Sequence, residues 1–117
     1  MTVLELAKLA FEQNRAYCRA MGDDSIKEWH KAEDKQRKGA IYGVVYLLRT
    51  PNVNAGSLHQ GLYRQLVAAG YSQGDTIDHE HKTHPGCLPF EQMPEDFRTK
   101  AVLFANLVEQ MKPFIKG

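Results

Sequence analysis

From residue 2 to residue 22 the chain spells out one amphipathic helix with both ends marked. Thr2 and Glu5 form a T-x-x-E capping box, in which hydroxyl and carboxylate satisfy the first free amides reciprocally. Val3, Leu6, Ala7, Ala10, Phe11, Asn14, Tyr17, Cys18 and Met21 then recur at helical period, and Gly22 stops the run. A helix with one apolar face has to bury it against other elements, so a packed helical layer is the expected surrounding. Asn14 is the exception, a polar side chain in the middle of the apolar face.

The remaining chain continues in the same style. A second helix is expected over 33–49, with Ala40, Ile41, Val44, Val45 and Leu48 inward and Pro51 ending it. Gly39 and Gly43, four apart, would let another backbone approach closely. Asn54 can cap a third helix over 55–69, with Ala55, Leu58, Leu62, Leu66 and Val67 inward and Gly70 closing it. Gly74, Pro85, Gly86 and Pro89 punctuate the segment from Tyr71 to Phe90, which reads as a short two-stranded hairpin or an ordered loop. A fourth helix opens near Pro94 and runs to 111, carrying Phe97, Ala101, Phe104, Val108 and Met111 inward. The expected fold is therefore mainly α: one compact four-helix domain with a short β-hairpin or loop between the third and fourth helices.

Composition narrows the function classes. The 117 residues have room for one core, and 43% hydrophobic with 25% charged residues is an ordinary globular mix. A net charge of +1 argues against a nucleic-acid polymer as partner, though a few local cations suffice for a nucleotide-sized anion. The longest apolar stretch, from Ala40 to Leu48, is too short to span a bilayer, and no signal peptide is visible. Two isolated cysteines, Cys18 and Cys87, suit a reducing compartment, so a cytoplasmic location is expected.

Few motifs carry chemistry. His79, His81, His84 and Cys87 offer zinc-type ligands, but their spacing matches no familiar site and Lys82 sits among them, so no metal is expected. Cys18 belongs to an apolar face, and Cys87, after Pro-Gly, is the more accessible of the two; neither has a fixed imidazole beside it on the chain. No phosphate loop or nucleophile motif is present, so neither a catalytic residue nor a cofactor is assigned. Polar residues on apolar faces say more. Asn14, Lys100 (between Phe97 and Phe104) and His59 (at the margin of the third helix's stripe) together suggest a pocket with a few converging polar groups.

The same residues resemble the RyR domain, the repeat of ryanodine receptors also found as a stand-alone domain in bacteria and phages. The resemblance rests on Glu12-Gln13-Asn14-Arg15-Ala16-Tyr17-Cys18, then Gly22-Asp23, Trp29 and Gly43-Val44. It continues through His59, Gly70-Tyr71, Gly74, Lys82, His84-Pro85 and Leu88-Pro89-Phe90, and ends with Met93-Pro94, Arg98, Lys100-Ala101 and Leu103-Phe104, covering about residues 3 to 110. Where the family pattern has tryptophan and basic residues, this chain has Leu62, Leu66, Tyr71 and Ile77, and Ala101 replaces an aspartate. The resemblance implies recognition of an adenine-nucleotide or ADP-ribose-type, NAD-derived signal, with Asn14, Arg15, Tyr17, Trp29, His59, Tyr71, Lys82, His84 and Lys100 as ligand-binding residues. Trp29 or Tyr71 would stack the base, and Arg15, Lys82 and Lys100 would meet phosphates. A lone domain of this kind could sequester a host immune nucleotide on behalf of a phage, in the host cytoplasm, and could pair with a second copy. A protein-interaction module with a vestigial pocket is the alternative, and a nucleotide-processing enzyme a more distant one.

Overall fold

The structure, a computed structural model, describes residues 1–50 and 54–116. Four α-helices dominate it: α1 (Val3–Ala20), α2 (Asp34–Arg49), α3 (Ser57–Ala68) and α4 (Glu95–Met111). Their bounds fall within about two residues of those expected, because end signals fix them locally. The capping box at Thr2 and Glu5 is formed in both directions, at 3.1 and 3.0 Å. At Gly22 and Gly70 φ is +95° and +87°, and each glycine closes its helix with the paired backbone bonds of a Schellman motif. Asp23 N–H reaches the Cys18 carbonyl at 2.8 Å, and Tyr71 N–H reaches that of Leu66 at 2.9 Å. Pro51, expected to end α2, lies outside the described residues.

Three expectations need correction. Asn54 does not occupy the cap position of α3, which is Gly56. Asn54 instead starts a turn just before it, its Oδ1 accepting the Gly56 amide at 2.9 Å. Nor do Gly39 and Gly43 admit a neighbouring backbone. A Cβ at 39 would meet nothing within 4 Å, and one at 43 would meet the Phe104 ring at 3.0 Å. The third correction concerns the segment between α3 and α4. Its two strands, β1 (Ser72–Gln73) and β2 (Thr83–His84), pair parallel rather than as a hairpin. The chain between them turns back through an antiparallel bridge from Asp78 to Thr83, so that β2 approaches β1 from the opposite end. Gly74 allows this closure, since a Cβ there would lie 2.6 Å from that of Thr83.

The core is small and sits toward one end. Leu6 and Ala7 from the first half of α1 meet Val44 and Leu47 from the second half of α2 and Val108 from the second half of α4. Leu6, Val44 and Val108 are its largest fully buried side chains. The polar stretch after α1 is drawn onto that helix. The Phe11 and Trp29 rings meet edge-on at 5.4 Å, and Glu12 accepts the Trp29 amide at 3.3 Å. Arg37 of α2 then collects the carbonyls of Trp29 and Ala32 at 3.2 and 2.8 Å. α3 is different: its one buried side chain is a histidine, His59. Among the described residues no helix is long and apolar enough to cross a membrane.

Candidate functional site

Where α1, α2 and α4 leave the core, their facing residues become small. Ala10 on α1, Gly39 and Gly43 on α2, and Ala101 and Ala105 on α4 replace the large side chains of the other end. α3 crosses over this hollow stretch with Leu58, His59 and Leu62 directed at it, and a cavity of about 380 Å³ remains between the four helices. That is the lower end of the range for small-molecule sites. Its walls are almost all carbon, with Leu47, Leu58, Leu62, Phe97, Leu103 and Phe104 as the large members. The polar exceptions are Gln13, Asn14, His59 and Lys100.

Asn14, His59 and Lys100, the three polar residues on apolar faces, therefore come together around one space. Asn14 and Lys100 sit at the α1–α4 side, in a small polar cluster. The Cys18 thiol approaches Asn14 Oδ1 at 4.0 Å, and Lys100 Nζ pairs with Asp96 at 3.1 Å. Burial works against the Lys100 charge, but the hydrogen bond to Asp96 and the neighbouring Cys18 sulfur outweigh it, and its ammonium ends above the ordinary lysine value. Hydrogen bonds from Lys100 and then Tyr17 hold the Asp96 carboxyl below its usual range. Partial burial, followed by the same Asp96 contact, pushes the Tyr17 phenol up. Tyr17 thus supports the cluster from outside the cavity wall.

His59 was expected at the margin of the α3 stripe, yet it is the most buried residue of that helix, 5% exposed, while Leu62 and Val67 are 41% and 51% exposed. Apolar periodicity ranks leucine above histidine, whereas the backbone around His59 supplies a partner that an aliphatic side chain could not use. The Leu88 carbonyl oxygen lies 2.7 Å from Nε2. Phe97 stands edge-on to the imidazole at 5.0 Å, and Phe90 lies tilted at 6.2 Å. The adjacent Gln60 accepts the Phe90 amide at 3.0 Å, so two neighbouring side chains of α3 pin the segment 88–90. Nδ1 of His59 is buried and has no hydrogen-bond partner among the described residues.

The other candidate residues lie elsewhere and have local work. Arg15 pairs with Glu12 at 2.8 Å and donates to the Ile26 carbonyl at 3.3 Å, tying the loop after α1 to the helix. Trp29 packs on Phe11 and the core rather than on the cavity. The Tyr71 hydroxyl bonds His79 Nδ1 at 2.7 Å. Lys82 has φ of 56°, rare for a residue with a Cβ, and its Nζ caps the end of α3 at the Ala69 carbonyl, 2.9 Å away. His84 accepts the Gly86 amide on Nδ1 at 2.9 Å.

The remaining histidine-segment residues are held within the same loop. His81 pairs with Asp78 at 2.8 Å. Cys87, expected to be the accessible cysteine, is buried, its sulfur 3.5 Å from the Tyr71 carbonyl oxygen. Among the described residues no three histidine, cysteine or acidic side chains gather as a metal site would require. Gln13 and the small side chains on the cavity wall have no site role in the sequence reading, where Gly39 and Gly43 stand only as points of close approach. Alanine and glycine on an inward face look like ordinary close packing until the opposite wall is known to stand away. No family model matches the chain, and no curated protein matches it either.

Proposed function

We propose that the protein is a small-molecule-binding module that takes the base of an adenine-nucleotide or ADP-ribose-type, NAD-derived signal into the cavity between its four helices. The observation that supports this most is the cavity itself: about 380 Å³ of carbon-walled space in a protein whose core holds few large buried side chains. A flat, neutral base fits such walls, and its burial is favourable by the apolar area it removes from water. Lys100 is the cation among the lining residues and the group on hand for a phosphate. Arg15 and Lys82 are engaged away from the cavity, so binding energy comes from the base more than from phosphates. Release of the ligand unchanged makes the module a sequestering protein, consistent with the phage-type role that the RyR resemblance implies; a second copy would pair about a two-fold axis.

A thermal-shift series with adenosine, AMP, ADP-ribose, NAD and cyclic nucleotides tests the reading. At a hundredfold excess over Kd a ligand should stabilise by about 2.7 kcal/mol. The proposal is lost if none of these raises the melting temperature. Chromatography of the incubated ligand separates binding from turnover: intact ligand is expected, and a product would make the protein an enzyme.

One observation favours a second reading. Leu62 and Phe97, both lining the cavity, are 41% and 37% exposed, so the opening has an apolar rim. A partner protein could seat an apolar side chain there, in which case peptides rather than nucleotides would protect the fold.

A further inference from the structure

Resting on the reading of the cavity as a ligand site, the geometry at His59 carries a statement about which ligands it takes. A carbonyl oxygen only accepts hydrogen bonds, so the 2.7 Å contact with Leu88 places the imidazole proton on Nε2. In the neutral ring Nδ1 is then a bare acceptor. It is screened from solvent and has no donor among the described residues. Buried acceptors are rarely left in that state.

The bond at Nε2 explains why a polar side chain stands here, since it pins the segment 88–90 as Gln60 does beside it. That bond uses the Nε2 proton alone, and no contact among the described residues accounts for the second nitrogen. We infer that His59 is the specificity-determining residue of the cavity, and that it selects ligands whose buried part is neutral and offers an N–H. A ring N–H or amino group supplies the missing donor. A carboxylate or phosphate oxygen has no proton to offer and is refused at this position. Nδ1 is reached only as the lining yields, and Phe97, edge-on to the imidazole at 5.0 Å and 37% exposed, is a cavity-lining residue packed on that ring.

Indole and benzofuran test this without depending on the identity of a nucleotide. They share size and shape, and differ in that indole carries an N–H where benzofuran has an oxygen. Titration calorimetry on the wild-type chain should give indole about tenfold tighter binding than benzofuran, the usual scale for satisfying a buried acceptor. His59→Phe keeps a flat ring against Phe97 and has no acceptor; there the two probes should bind within about twofold of each other. Equal affinities in the wild type, or a preference that survives His59→Phe, would overturn the assignment while leaving the cavity as a ligand site. Failure of both probes to bind would remove the cavity reading with it. If adenosine fails but indole is preferred, the nucleotide proposal falls and the role of His59 stands. Should His59→Phe not fold, the wild type suffices. The 15N resonance of Nδ1 should move upfield with indole and hold its position with benzofuran, and the absence of that difference refutes the inference.

Discussion

Gly39 and Gly43 lie one turn apart on α2 and both line the cavity, yet an added methyl group should act differently at each. Both are interior helical positions, where alanine is favoured over glycine by about 1 kcal/mol through the unfolded state. At 39 a Cβ meets nothing within 4 Å, so the full gain should appear. At 43 it would stand 3.0 Å from Phe104 Cζ, 3.2 Å from Cε1 and 3.6 Å from Leu58 Cδ1. The Phe104 ring must therefore give way by a few tenths of an ångström, and overpacking of this kind costs about 1–3 kcal/mol where neighbours are fixed. Because that ring borders empty space, the cost should fall at the low end and roughly cancel the helix gain. Gly39→Ala is thus expected to stabilise by about 1 kcal/mol, and Gly43→Ala to fall about 1 kcal/mol below it. Urea unfolding with a shared m-value measures both differences. A neutral or destabilising Gly39→Ala would mean that the space beside it is filled. A Gly43→Ala as stabilising as its neighbour would mean that Phe104 does not press on α2.

Leu6→Ala, at the closed end of the bundle, should cost about 2–5 kcal/mol by urea unfolding, since Leu6 has no exposure to lose and its neighbours cannot close the gap. Asp96, held below its ordinary value of 3.8, contributes stability that is present above that value and lost as pH falls through its lowered folded value; Asp96→Asn should flatten the acid limb of the melting-temperature profile there. With one lysine among the lining residues, adenosine and AMP should bind within about tenfold of each other and lose little affinity between low and moderate salt, as calorimetry at two ionic strengths would show. Tyr71→Ala should leave ligand affinity unchanged in the same assay while exposing the 71–87 loop to faster amide exchange, because its hydroxyl serves His79 and its ring does not line the cavity.

How much of this could be read from residues alone depended on the range of the interaction responsible. Helix ends were legible because the signals are local: the Thr2–Glu5 box and the glycines at 22 and 70 act within a few residues of the boundary they set. Asn14, His59 and Lys100 were legible as a set because each breaks the periodicity of its own helix. Their convergence needs no foreknowledge of the fold beyond the rule that apolar faces meet. The direction of the β1–β2 pair was not legible, because it depends on Gly74 lying against Thr83 nine residues later. Arg15, Trp29, Tyr71 and Lys82 looked like ligand groups for the same reason that they are useful in the chain, namely an aromatic surface or a mobile charge. Only their distances to Ile26, Phe11, His79 and Ala69 separate the two uses.

The division of the bundle into a filled end and a hollow end bears on why a chain this small keeps a cavity at all. Small domains have little surplus stability, and a space among their helices forfeits contacts that the core would otherwise make. Here the loss is confined. α1 changes from Leu6 and Ala7 to Ala10 and Asn14 within two turns, α2 from Val44 and Leu47 back to Gly43 and Gly39, and α4 from Val108 back to Ala105 and Ala101. Each helix is anchored at the filled end and spans the hollow one as a preformed wall. α3, pinned to the segment 88–90 through His59 and Gln60, covers the hollow end while contributing no apolar side chain that is fully buried. Its attachment is polar and specific, and little apolar burial opposes a small displacement of it. A ligand that fills the cavity would therefore add the packing that α3 lacks, and the element stabilised most by binding should be the one that the core stabilises least.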